Sequence, residues 1–141
     1  MKKKFVTKKF TKNQEYKKVL AVIEKEGKCP FCTENFKYHK HPVLKKDGDW
    51  IITQISWPYK NTSYHFILIS RRHKEQFGQL RNADMIAMSK LVKWAIRKFN
   101  IRGGAITLRF GDPALTGATV RHLHAHLIVP LKSKTVLFPV G

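Results

Sequence analysis

Residues 121–130, RHLHAHLIVP, carry histidine at every second position three times running. A repeat of two is the period of a β-strand, in which alternate side chains share a face. His122, His124, His126 and Ile128 are therefore expected on one side, and Leu123, Ala125, Leu127 and Val129 on the other. The apolar set must be buried, so the strand requires a layer packed behind it. On the polar side neighbouring imidazoles repeat about every 6.7 Å and the outer two lie about 13 Å apart, too far for one metal ion to take all three easily. The plain alternative is a solvated sheet face on which histidine serves as the polar partner. Strict alternation straight after the glycine-containing loop LTGATV favours chemistry instead: neutral imidazole as nucleophile, beside neighbours that hold the charged groups of an anionic substrate.

The rest of the chain supplies partners for that strand. Thr11 with Gln14 forms a capping box, and Tyr16, Leu20 and Ile23 recur at helical spacing until Gly27 stops the helix. DWIITQIS (49–56) and YHFILIS (64–70) read as an antiparallel pair of strands joined by the turn-like WPYKNTS. Asn82 is expected to cap a helix running to about Asn100, with Met85, Met88, Leu91, Val92, Ala95 and Phe99 on one packing stripe. GGAITLRF (103–110) reads as a strand, GDPALTGA as a loop, HLHAHLIV as a strand, and TVLFPV as a further short one. The fold class is α+β with an antiparallel sheet. At 141 residues the chain suits one domain, here 11–141, preceded by a basic N-terminal arm, 1–10.

Charge narrows the partners. Lys and Arg number 28 against nine Asp and Glu, a net +19, and no acidic residue follows Asp112. Phosphate-bearing small molecules, nucleic acid and acidic membrane surfaces all fit such a chain, although selection for solubility also yields basic proteins. No apolar h-region follows the basic start, and no apolar run reaches 18 residues, so neither a secretory signal nor a membrane span is expected. A cytoplasmic protein is the default expectation. The only cysteines, Cys29 and Cys32 in CPFC, are spaced for metal or redox chemistry rather than for joining distant segments. No convincing helix of a βαβ unit follows them, which argues against a thioredoxin-like pair, and reduced thiols without metal are the remaining alternative. The spacing suits tetrahedral zinc, which would need two further ligands.

Together these landmarks resemble the histidine triad (HIT) family. HLHAHLI matches the triad pattern of histidine and apolar residues in alternation, and TGATV resembles the family's Gly-x-Ser/Thr-Val approach to it. HFILISRRH resembles a family strand that ends in histidine, with Ser70 where proline is usual, and CPFC resembles the cysteine pair of the zinc-containing branch. The resemblance implies a HIT-like antiparallel sheet of about five strands with two main helices. It implies nucleotidyl transfer or hydrolysis at the α-phosphate of a nucleotide conjugate, of the dinucleoside polyphosphate or nucleoside phosphoramidate type, through a nucleotidyl-histidine intermediate.

Carried onto these positions, His124 is the nucleophile, and His126 binds the phosphate or assists the leaving oxygen. Backbone N–H groups of Gly117 to Thr119, the Thr119 hydroxyl and Arg109 are candidates for phosphate binding, with Arg121 and Lys132 as further cations. The resemblance also implies a structural zinc held by Cys29, Cys32, His73 and His122. His65 is the alternative to His73, and His39 and His41 are near enough in sequence to Cys32 to compete. Ala118 stands where many family hydrolases carry glutamine, and LRFGDP lacks their asparagine. The transferase branch usually replaces the third histidine by glutamine, so His126 favours hydrolysis. Family members are commonly dimers, which allows a homodimer here. The alternative function is a nucleic-acid deadenylase, or a nucleic-acid-binding protein on a zinc-stabilised scaffold, using the basic surface.

Overall fold

Asn13 and Gly27 bracket the first helix, α1 (Gln14–Glu26): the Asn13 side-chain oxygen accepts from the Tyr16 N–H at 2.9 Å, and Gly27, at φ 70°, closes the other end. The structure is a computed structural model and describes residues 4–7 and 13–141. Thr11, the expected cap, lies outside the described residues. Residues 4–7, within the expected arm, run along the segment before the histidines. Thr7 N–H donates to the Thr119 carbonyl at 2.9 Å, and Val6 is buried beside Val120, Leu20 and Ile23.

Five strands form one antiparallel sheet: β1 (Val43–Asp47), β2 (Trp50–Gln54), β3 (Thr62–Ser70), β4 (Ala105–Leu108) and β5 (His124–Pro130), in the order β1-β2-β3-β5-β4. The histidine strand is thus central, between β3 and β4. Its register sets Ile69 opposite His124 and Ile67 opposite His126. The strand β1 is the element that sequence reasoning missed. As an edge strand carrying Lys45 and Lys46 it buries little, so it has no hydrophobic alternation to read. Gly48 at φ 53° and Asp49 join it to β2 as a two-residue hairpin.

The second main helix, α2 (Asn82–Lys98), covers one face of the sheet. Ala87, Met88, Leu91, Val92 and Ala95 pack there on Trp50, Ile52, Phe66, Leu68, Ala125 and Leu127. Met85, expected in that stripe, is exposed, and Asp84 is buried instead. Burial would raise the Asp84 pKa, but hydrogen bonds from Lys74 Nζ (2.8 Å), the Arg81 N–H and Trp50 Nε1 override it and hold the carboxyl below the usual range. The cap of α2 is Arg81, one residue before the expected Asn82.

Two further segments differ from expectation. The loop GDPALTGA contains a one-turn helix, α3 (Pro113–Thr116), begun by Asp112 capping the Ala114 N–H and ended by Gly117 at φ 73°. Residues 135–140, read as a short strand, form none; Asn61 Nδ2 donates to the Thr135 carbonyl, and the Phe138 ring meets that of His126 in β5. Among the described residues no helix is long and apolar enough to cross a membrane.

Candidate active site

The strand expected from His122 begins at His124, and the histidine side is not solvated: His122, just before β5, and His124 and His126 within it are all buried, beneath α1 and the segment that contains CPFC. That burial is what makes their hydrogen bonds decisive. The Nδ1 of His124 lies 2.6 Å from the carbonyl oxygen of His122. A carbonyl only accepts, so Nδ1 carries the hydrogen and Nε2 carries the lone pair. Burial pushes the pKa of His124 down to about 4, which keeps the ring neutral near pH 7.

His126 is fixed in the opposite sense through its neighbours. The Tyr59 N–H donates to His65 Nδ1 at 3.1 Å, so His65 carries its hydrogen on Nε2. That Nε2 lies 2.8 Å from His126 Nδ1, which must accept. The hydrogen of His126 therefore sits on Nε2, a buried atom with no hydrogen-bond partner among the described residues. Burial lowers the pKa of both rings, His65 to about 4, in keeping with two neutral imidazoles. Adjacent rings of one strand thus present a lone pair and an N–H donor.

Both rings line a cavity of about 290 Å³, together with Arg109, Gly117 and Thr119. Aromatic and aliphatic side chains, among them Tyr16, Phe31, Trp57 and Ile67, complete the wall. Tyr16 stacks on Trp57 with centroids 4.5 Å apart, and its hydroxyl lies 2.8 Å from Thr119 Oγ1, so α1 holds the Thr119 side chain in place. In the loop, Gly117 N–H donates to Pro113 O and Ala118 N–H to Thr116 Oγ1. Those two amides serve the end of α3, while that of Thr119 has no partner among the described residues. A side chain at Gly117 would need the unfavourable left-handed backbone, and its Cβ would meet the Gly141 carbonyl oxygen at 2.8 Å.

Arg109 is held by the chain itself. Its Nε donates to the Pro139 carbonyl at 3.1 Å, its Nη2 to the Tyr59 hydroxyl at 3.3 Å, and its guanidinium stands 3.9 Å over the Phe138 ring. Phe138 also meets the His126 ring edge-on at 5.3 Å. Pro139 lines the cavity on the Arg109 side, with Phe138 packed on Arg109 and His126.

Beside the cavity, Cys29, Cys32, His73 and His122 converge, with their four ligand atoms within 4.8 Å of one another. His122 Nε2–H donates to the Ser70 carbonyl and His73 Nε2–H to Glu75 at 3.0 Å, which leaves both Nδ1 lone pairs turned inward. Those Nδ1 atoms are 3.2 Å apart, with Cys29 Sγ 3.4 Å from His122 Nδ1 and Cys32 Sγ 3.4 Å from His73 Nδ1. Tetrahedral zinc, with bonds of about 2.0–2.1 Å to nitrogen and 2.3 Å to sulfur, puts ligand atoms about 3.3–3.8 Å apart. The donor set and spacing fit zinc, and two lone pairs facing each other at 3.2 Å call for a cation between them. Burial raises the pKa of both thiols, that of Cys32 to about 12.

The predicted residues thus fall into two groups joined by the stretch His122–His126. His65 joins His126 and not the thiols. His39 stands apart, with Nε2 2.7 Å from Thr53 Oγ1 and Nδ1 3.2 Å from Ser56 Oγ; neither it nor His41 joins the cluster. Arg121 faces Asp112 at 3.9 Å and Lys132 is exposed. The places of Tyr16 and Tyr59 in the cavity wall, and of His65 and Phe138 against His126, were missed, because each depends on how distant segments pack.

A family model described as the HIT domain matches residues 36–133, well over half of the chain. A search of curated proteins gave no match. Among solved structures, a histidine triad nucleotide-binding protein from Candida albicans has a TM-score of 0.64 at 19% identity, covering 81% of this chain and 82% of the other. A zinc-bound histidine triad family protein from Mycobacterium smegmatis gives 0.58 at 19% identity, covering 80% and 82%. A HIT family hydrolase from Clostridium thermocellum gives 0.57 at 20% identity, covering 78% and 96%. At such identities the likeness is one of fold, and it agrees with the α+β sheet described above. The match over residues 36–133, which takes in the whole alternating-histidine strand, shows that this chain belongs to the HIT domain family.

Proposed function

We propose that this chain hydrolyses a nucleotide conjugate at its α-phosphate through a nucleotidyl intermediate on His124. The observation that carries the reading is the pairing of a neutral lone pair at His124 Nε2 with an N–H donor at His126 Nε2 beside one cavity. An anionic phosphorus centre repels a charged nucleophile, whereas a neutral imidazole held at the site avoids that cost. The HIT hydrolase and nucleotide-binding names carried by similar structures fit this reading.

In the first step the His124 Nε2 lone pair forms a bond to phosphorus. The bond from phosphorus to the leaving group breaks, and its electron pair leaves with that group. His124 gains positive charge, which its Nδ1–H shares with the His122 carbonyl. The His126 N–H hydrogen-bonds the leaving atom or a nonbridging oxygen, and the Thr119 hydroxyl and amide hold another oxygen. Water then attacks phosphorus, the bond to Nε2 breaks with its electron pair returning to the ring, and the water proton passes to solvent. Retention of a donor histidine at 126 supports hydrolysis over transfer.

Cys29, Cys32, His73 and His122 would hold a structural zinc. Four protein ligands leave no open position for water, so the chemistry such an ion supplies is to hold the thiolates and His122 in place. Quenching a single turnover with an adenylated compound and mapping the adduct by mass spectrometry tests the intermediate. Nucleotidyl on the peptide containing His124 is expected; turnover with no adduct and retained activity in His124→Ala would remove this mechanism.

A further inference from the structure

We propose that the outer side of α2 and the adjoining strand β1 form a binding surface for the phosphate backbone of a nucleic acid, on the side of the sheet away from the cavity. The helix buries its apolar stripe against Ala125 and Leu127, the β5 residues that alternate with the catalytic histidines. Whatever binds the outer side of α2 is thus separated from the cavity by the sheet itself.

Lys90, Lys93 and Arg97 are exposed and fall at helical positions i, i+3 and i+7, which places them in one row. Lys98 at the end of the helix and Arg102 beyond it extend the cations, and Lys45 is exposed on β1 alongside, opposite Ile52 on the α2 side of the sheet. Lys45 Nζ lies 5.7 Å over the ring of Trp94, a residue of α2, which shows how close the two cationic elements are.

This charge is not neutralised within the chain. The only acid of α2, Asp84, is buried at the other end and engaged by Lys74 and Arg81. Glu15, Glu26, Asp49 and Asp112 pair with Lys40, Lys37, Arg72 and Arg121, far from the row in sequence and in no contact with it. Among the described residues none of Lys45, Lys46, Lys90, Lys93, Arg97, Lys98 or Arg102 has an ion-pair partner. Asp47 is the one acid on β1, and beyond the buried Asp84 the helix face carries cations alone, an arrangement that sets up a local positive field along α2.

The spacing suits a polymer of fixed charges. Lys90 to Arg97 spans seven residues, about 10 Å along the helix axis. Phosphates on one strand of a duplex repeat about every 3.4 Å, so the row faces about three of them. Contacts of this kind position a backbone without reading its sequence. The inference stands apart from the proposed hydrolysis, since the row contributes nothing to the cavity.

The test is fluorescence anisotropy of the full chain with a labelled 20-nucleotide duplex of mixed sequence across a salt series. Wild type is compared with K90E/K93E/R97E and with the charge-matched control K18E/K25E/K28E. Release of nucleoside monophosphate and thermal unfolding, measured on each variant, show that the fold and the cavity survive. The proposal expects the first triple variant to lose at least tenfold in affinity and its salt slope to fall by about two to three, with the control within threefold of wild type. Equal losses in both variants, retained binding in the first, or wild-type binding confined to vesicles of phosphatidylserine and phosphatidylcholine would each overturn it.

Discussion

The carbonyl oxygen of His122 lies 2.6 Å from Nδ1 of His124, so a residue whose ring faces two thiols also fixes the tautomer of its neighbour's ring. Position 122 is thereby a joint between the thiol–histidine cluster and the cavity. In the proposed mechanism a disturbance of the cluster reaches His124 through the backbone that joins it to His122.

In the proposed mechanism zinc content and catalysis are expected to be coupled. Purified protein is expected to carry about one zinc per chain, and Cys29→Ser to lose it, with a clear fall in Tm. Its kcat should fall about tenfold with a smaller change in KM, because the cavity side chains remain while His124 loses its orientation. Elemental analysis and kinetics on the same preparation check this; zinc retained at the wild-type level in Cys29→Ser would refute the ligand set.

The donor at His126 depends on His65. Replacing His65 by phenylalanine keeps an aromatic ring but removes the N–H that His126 Nδ1 accepts. Leaving that buried acceptor unpaired costs about 1–3 kcal/mol and frees the His126 tautomer, so kcat should fall tenfold or more. His65→Asn retains an N–H donor and should lose less. Equal activity in wild type and His65→Phe would show that the tautomer relay has no part in turnover.

Acid should destabilise the fold before carboxylates titrate. Burial holds the pKa of His65 and His39 at about 4 in the fold, against about 6.5 in the unfolded chain. Below pH 6.5 the unfolded state binds the protons and the folded state does not, so stability falls as pH drops from 6.5 to 4. For His65, 4% exposed, the loss is at most about 3 kcal/mol. Denaturant titrations across this window should show a shallower decline for His65→Asn; parallel curves would place the effect elsewhere.

Arg109 must exchange partners to reach a phosphate. Its guanidinium is spent on the Pro139 carbonyl and the Phe138 ring. Phe138→Ala should free it and lower KM for an anionic conjugate about threefold, whereas Arg109→Ala should raise KM about tenfold, the worth of one charge-assisted hydrogen bond. A rise in KM for Phe138→Ala would mean that the ring supports the substrate instead of competing with it.

Much of this architecture is legible in the sequence, because strong local signals carry it. The alternation of His124 and His126 with Ala125 and Leu127 marks a strand and its two faces, although His122 and Leu123, read as part of it, lie just before its start, and Gly27 ends α1 where its periodicity stops. The edge strand β1 is not legible, since Lys45 and Lys46 bury nothing that alternates. The cap of α1 at Asn13 is not the one the sequence favours, since Thr11 with Gln14 fits the capping-box spacing. The role of His65 depends on β3 meeting β5 in one register, and the crossing of Phe138 over Arg109 depends on 28 residues of intervening chain, so neither leaves a local mark.

Release of nucleoside monophosphate is the most direct measurement of the central claim. Wild type and His124→Ala are compared on adenylated and guanylated phosphoramidates and dinucleoside polyphosphates, with folding checked by thermal unfolding. The account predicts release by wild type from at least one class of compound, and a fall of about a thousandfold or more in the variant, as expected for loss of a nucleophile. Release at the wild-type rate by folded His124→Ala, or none by folded wild type with its metal in place, would contradict it.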